Sequence, residues 1–190
     1  RGDNTGGNDR GAVYLFSLDP ADLAAAPTLD NKIAHGTSGL SLVDDDFFGR
    51  SVALNDGGSL LAVGADGDST GGSDRGAVYL LTLDPSNLAA APTLDNKIAH
   101  GTSGLDLTNG DFFGRSVALS DSGSLLAVGA LGDDTGGSQR GAVYLLTLDP
   151  ADLAAAPTLN NKITHGTSGL SLANRDFFGG SVALNDSGSL

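Results

Sequence analysis

The side chains in this 190-residue sequence that could do chemistry recur at a fixed spacing of 65. Asp3, Asp68 and Asp133 occupy the same phase of glycine-rich stretches such as GDSTGGSD and GDDTGGSQ, with Asp9, Asp74 and Asp134 close by. Carboxylates, hydroxyls and free carbonyls gathered on one loop suit a hard cation, so Asp3, Asp68, Asp133 and Asp134 are the candidate calcium ligands. The competing reading gives these carboxylates a structural task, closing Asx-turns and keeping the loop hydrated. That reading is favoured, because Asp74 gives way to Gln139 and Asp66 to Leu131.

Two further groups recur. His35, His100 and His165 stand in His-Gly-Thr-Ser-Gly, where a base beside hydroxyls suggests nucleophilic catalysis. A catalytic triad needs one asymmetric constellation with a third group orienting the base. Identical copies supply scaffold positions instead, so a histidine bonding a turn is expected. Arg50 and Arg115 follow Phe-Phe-Gly, and the third copy has Gly180 there. Pairing with Asp46 and Asp111 is expected, as salt bridges worth little alone, and the loss at Gly180 speaks against catalysis. No two Asp residues stand out as the facing pair that glycoside hydrolysis needs.

Composition narrows the classes. All 23 acidic residues are Asp, Lys plus Arg number 10, and the net charge is −13. With a pI near 4.2 the chain repels phosphate backbones, which excludes nucleic acid as a partner. No apolar run approaches the ~20 residues of a membrane-spanning helix, so no membrane insertion is expected. Zero Cys removes disulfides, thiolate zinc sites and cysteine nucleophiles. With no initiator Met and no signal peptide, the sequence reads as a mature product or an excised fragment. Glu is absent while Gly supplies 29 residues, so an all-β chain with many tight turns is expected.

The elements that must position these side chains form one unit written about three times. RGAVYL begins at Arg10, Arg75 and Arg140, and DFFG at Asp46, Asp111 and Asp176. Residues 10–74 and 75–139 differ at 13 of 65 positions, so these are near-identical copies. The chain divides into a partial repeat 1–9, repeats 10–74 and 75–139, and a partial repeat 140–190, all one array. It reads as three repeats cut open inside one strand, the five absent residues matching Leu61-Ala62-Val63-Gly64-Ala65. Within a unit, the strands expected are Phe47–Leu54, Ser59–Ala65, Gly76–Leu83 and Asn96–His100, the first two joined as a hairpin through Asn55-Asp56-Gly57-Gly58. Asp84-Pro85 and Pro92 flank an Ala run, which predicts a short helical turn in each repeat.

Four short strands per repeat read as β-propeller-type blades. The third strand is apolar on both alternating faces, which requires a neighbour on either side. Exposing four to six aliphatic side chains on one face costs roughly 1.5–3 kcal/mol each, on the order of a whole domain's stability. Propellers have about 4–8 blades, so three make an incomplete ring or part of a longer array.

The residues that carry a family resemblance are Phe113-Gly114-Arg115-Ser116-Val117-Ala118-Leu119, Leu126-Ala127-Val128-Gly129-Ala130 and Gly141-Ala142-Val143-Tyr144-Leu145. They resemble the FG-GAP repeat of integrin α heads and of many bacterial surface and secreted proteins. The FG lies in Phe48-Gly49, and Val-Gly-Ala stands for GAP. Integrin-type blades carry an Asp-rich calcium loop between their first two strands. Here that connection is Asn55-Asp56-Gly57-Gly58, Ser120-Asp121-Ser122-Gly123 or Asn185-Asp186-Ser187-Gly188, and one carboxylate in four residues cannot encircle calcium. Arg1-Gly2-Asp3 spells a tripeptide that integrins recognise, yet its equivalents Asp66-Gly67-Asp68 and Leu131-Gly132-Asp133 differ only in the first residue, and chance explains it. Asn185-Asp186-Ser187 is a lone glycosylation sequon that decides nothing by itself.

The resemblance implies a non-enzymatic extracellular or cell-surface module acting in adhesion or as a binding scaffold. Its partners would be further copies of the repeat, in the same or neighbouring chains, and a protein or glycan ligand. The alternative is a structural filament assembled by strand complementation between units. A third reading is an accessory domain of a secreted hydrolase, where the repeats would bind and not catalyse.

Overall fold

The computed structural model describes residues 2–185 and 188–190. Arg1 of the Arg-Gly-Asp tripeptide and two residues of the sequon lie outside them. The described chain is nearly all β. Ten strands run in chain order: β1 Ala12–Ser17, β2 Thr28–Ala34, β3 Ser51–Leu54, β4 Leu60–Ala65, β5 Ala77–Thr82, β6 Thr93–Ala99, β7 Phe113–Leu119, β8 Leu125–Ala130, β9 Ala142–Thr147 and β10 Thr158–Ile163. They form a two-stranded sheet β1-β2 and two four-stranded antiparallel meanders, β3-β4-β5-β6 and β7-β8-β9-β10. These are the expected blades, here called the first, second and third.

Alternation along the strands explains the stacking. All six residues of β4 are buried. Leu61, Val63 and Ala65 join Val13, Leu15 and Ile33 of the first blade in one apolar cluster. Leu60 and Ala62 join Val117, Leu119, Leu126 and Val128 of the third blade in another. On β5, Tyr79 and Leu81 face back while Val78 and Leu80 face forward. One strand thus contributes to two cores, which a period of two allows only between two neighbours. Beyond the third blade, Ala118, Ala127 and Val143 pack with Phe178, Val182 and Leu184, where a further repeat begins.

Strand bounds follow pairing. β3 is a strand because Ser51–Leu54 lies in register against Gly64 to Leu61. Residues 181–184 have the same sequence, Ser-Val-Ala-Leu, yet are not a strand, because no partner stretch follows them among the described residues. The fourth strand begins earlier than expected, at Thr93 and not at Asn96, because Thr93 and Leu94 still pair with Thr82 and Leu81.

The helical turn expected after each Asp-Pro is instead two successive β-turns. Asn87 N–H donates to Asp84 C=O at 3.0 Å and Ala90 N–H to Asn87 C=O at 2.9 Å. Asp84 caps as foreseen, its Oδ1 accepting from Ser86 N–H at 2.9 Å. Too few residues separate the two prolines to repay helix nucleation, so the turns do not propagate. Among the described residues the lone 3₁₀ turn lies elsewhere, at Thr167–Gly169.

Candidate functional site

The glycine-rich loop between a blade's second and third strands folds its Asp inward. Asp68 is 2 % exposed, and its Oδ2 accepts from Tyr79 Oη at 2.9 Å and from Lys97 Nζ at 2.6 Å. Its Oδ1 accepts from Thr70 N–H at 2.9 Å, the Asx-turn anticipated from sequence. Burial opposes the charge on Asp68, but Lys97 and Thr70 outweigh it and hold the carboxyl below the usual range. Asp133 repeats the arrangement with Tyr144, Lys162 and Thr135, and Asp3 with Tyr14, Lys32 and Thr5. Burial, with the Asp68 charge added, pushes the Tyr79 hydroxyl well above its ordinary value, so it stays a donor. Asp134 caps the loop by accepting from Gln139 N–H. Asp3, Asp68 and Asp133 are each paired with a lysine of the same blade, and among the described residues no three of His, Cys, Asp or Glu gather as a metal centre.

Beside this cluster lies Asp46, from the segment leading into β3. It is 1 % exposed; Oδ2 accepts from Val43 N–H at 2.7 Å, while Oδ1 has no hydrogen-bond partner. Its equivalent Asp111 is better satisfied, because Thr108 stands where Val43 stands and donates its hydroxyl to Oδ1 at 2.7 Å. Burial, reinforced by the Asp68 charge, pushes the Asp46 carboxyl up to about 6. A folded value above the ordinary 3.8 means that this residue's contribution to stability is complete below pH 3.8 and is lost as pH rises through 6. Asp46→Asn should therefore stabilise the fold at pH 7.5 by on the order of 2 kcal/mol, and change little at pH 4. Urea unfolding at both pH values checks this; equal effects at the two would contradict it.

The arginines after Phe-Phe-Gly do not pair as expected. Asp66 Oδ2 binds both Arg50 Nε at 3.3 Å and Arg115 Nη1 at 3.2 Å, so it ties the second blade's first strand to the third's. Asp46 and Asp111 cannot take those arginines, since each folds back on its own loop. The position equivalent to Asp66 is Leu131, and the one equivalent to Arg115 is Gly180. Two changes that look unrelated in sequence thus remove both members of one bridge at the next junction. Arg115→Gly should cost less than about 1 kcal/mol in thermal unfolding, because Arg115 is partly exposed and Arg50 keeps Asp66 paired.

The glycines of the motif meet each other across the junction. A Cβ on Gly64 would stand 2.0 Å from the carbonyl oxygen of Gly114, and one on Gly129 would stand 1.8 Å from that of Gly179. The same carbonyls accept from Ser51 Oγ at 2.9 Å and Ser116 Oγ at 2.8 Å. Phe48 and Phe113 then stack edge-on against Tyr79 and Tyr144. The glycine of the second strand makes room for the FG turn of the next blade.

The histidines do what a turn needs. His35, His100 and His165 accept at Nδ1 from the N–H of Leu42, Leu107 and Leu172 at 3.0–3.1 Å. Sequence reasoning missed a further contact: Asn31 and Asn96, on each blade's outer strand, donate to carbonyls of the Asp-Pro insertion one blade on, Ala90 at 2.8 Å and Ala155 at 2.9 Å. Their sequence signal is slight, because Asn96 shares its strand with three other polar residues, Thr93, Asp95 and Lys97. No helix of the described chain is long and apolar enough to cross a membrane.

No curated protein matches the chain. A family model does, the one described as FG-GAP repeat, at residues 43–81 and 104–146. Each match runs from the loop before the FG turn, through the glycine-bearing second strand, into the third, which are the parts that the junction geometry singles out. The second and third blades thus carry FG-GAP repeats, at residues 43–81 and 104–146.

Proposed function

We propose that the chain is a non-enzymatic, extracellular or cell-surface repeat module that stacks against further copies of its repeat and presents its loops to a protein or glycan ligand. The observation that carries this reading is the two-faced burial of β4 and β5, which commits the sheets to assembly. The chemistry-bearing side chains support it too: the three histidines hold turns, and Asp3, Asp68 and Asp133 hold lysines. What remains on the outside is a strongly acidic surface. The match to a repeat family that typically serves as an extracellular binding module agrees with it.

The test probes the intact chain against arrays of glycans and extracellular matrix proteins, and in parallel against glycan, ester and phosphodiester hydrolase substrates. Saturable binding without turnover is expected. Saturable hydrolysis, abolished by replacing a histidine or aspartate named above, would overturn the reading.

A further inference from the structure

We infer that the cleft between the Phe-Phe-Gly turns of the second and third blades binds a carboxylate carried on a ring, a hexuronate unit of a glycan. This rests on the reading that the array presents its loops to a ligand, and it names the ligand's chemistry. Phe47 and Phe112 lie before β3 and β7, and Asp66 and Leu131 follow β4 and β8, so antiparallel pairing brings all four to the same end of two adjoining hairpins. With Arg115 of β7 they line a cavity of about 190 Å³. Sites for drug-sized ligands run from ~300 Å³ upward, so this one takes a single ring and not a larger body.

One wall is apolar, built on phenylalanines that the fold does not bury. Their chain neighbours Phe48 and Phe113 have no exposed surface, whereas Phe47 and Phe112 stay partly exposed. Both are held at positive φ, +55° and +56°, a conformation that bulky side chains adopt rarely and at a cost. Both rings are also fixed in place by close backbone. A Cβ on Gly67 would stand 2.8 Å from Phe47 Cδ2, and one on Gly132 would stand 2.9 Å from Phe112 Cδ2.

The other wall is positive within an acidic protein. Asp66, its side chain 7 % exposed, is shared by Arg50 and Arg115, so one carboxylate meets two guanidiniums in a chain of net charge −13. Asp66 is the one carboxylate among the lining residues, since Asp46 and Asp111, beside the two phenylalanines, fold back on their own loops. Arg115 gives Nη1 to Asp66, its side chain is 32 % exposed, and the planar fork of a guanidinium has donors for a second carboxylate. The charge selects an anion, and the phenylalanine and leucine wall selects one attached to a ring over a bare ion. A sugar acid meets both demands, with its carboxylate on Arg115 and its C–H groups against the rings. The cleft also has the asymmetry that a scaffold position lacks, because the next junction has Leu131 and Gly180 where this one has Asp66 and Arg115.

Methyl glucuronoside, methyl glucoside and acetate, titrated separately into the isotope-labelled intact chain and followed by backbone and arginine side-chain resonances, test the cleft. Saturable shifts centred on Asp66, Phe112 and Arg115 are expected with the glucuronoside. The glucoside, which lacks the charged acceptor, should bind at least ~10-fold more weakly. Arg115→Gly, which copies the next junction, should weaken glucuronoside binding at least ~10-fold. Phe112→Leu, which keeps an apolar side chain but removes the ring, should weaken it about 5-fold, with thermal unfolding verifying that both variants are folded. Absence of saturable binding, equal binding of the glucoside, or undiminished binding by Arg115→Gly overturns the inference. Acetate binding as tightly as the glucuronoside means an adventitious ion only, and overturns it too. If the glucuronoside fails while the chain still binds other glycans or matrix proteins on the arrays, the cleft is wrong and the module reading stands.

Discussion

Replacing Gly64 by alanine is expected to destabilise the protein by on the order of 3 kcal/mol or more, although it adds a single methyl group to a strand. The methyl carbon would lie 2.0 Å from the Gly114 carbonyl oxygen, which also accepts from Ser51 Oγ. The contact is with backbone, so no rotamer change relieves it and the two blades must separate locally. Gly101→Ala serves as the control, because its Cβ meets nothing within 4 Å and its only penalty is a φ of +83°. That penalty is about 1 kcal/mol. Denaturant unfolding of the two variants separates close approach from backbone conformation. Equal losses would mean that the second-strand glycine is not a junction residue.

The second large effect is expected from Lys97→Met. Asp68 has a side chain only 3 % exposed, and Lys97 is its cation. Removing the ammonium leaves a buried carboxylate with only neutral donors, at a cost of about 3 kcal/mol, the low end of the range for a broken buried pair because a third of Lys97 is exposed. The double variant Asp68→Asn with Lys97→Met should recover most of that loss, since the uncompensated charge is gone. Lys32→Met should cost clearly less than Lys97→Met, because the Asp3–Lys32 pair has side chains 18 % and 36 % exposed and water screens it. Thermal unfolding of the four proteins tests this; equal losses for Lys97→Met and Lys32→Met would contradict it.

The repeat, its strands and their stacking are legible in the sequence because they follow from period and composition. LLAVGA and GAVYLL have no polar face, and that alone demands two neighbours. The Asx-turn role of Asp68 and the turn role of His100 are local and equally readable. What is not legible depends on residues brought together from different blades. Asp66 and Arg115 lie 49 positions apart, and their joint replacement by Leu131 and Gly180 acquires meaning only when the junction is seen. Lys97 gives no sequence sign that it will reach Asp68, because the partner strand turns it back over the Tyr79 ring, 5.2 Å from its centroid. The helical turn after Asp84-Pro85 failed for an energetic reason: local capping signals cannot show how much chain remains before Pro92 stops it.

If each sheet owes its stability to the sheets on either side, then native-state amide exchange of the intact chain must rank the three unequally. The amides of β4 and β5, covered on both faces, should exchange at least ~100-fold more slowly than those of β1, whose Tyr14 and Phe16 are 45 % and 49 % exposed. β8 and β9 should fall between, since only the start of a further repeat covers their forward face. Equal protection across all three sheets, or β1 as slow as β5, would show that a blade is stable by itself.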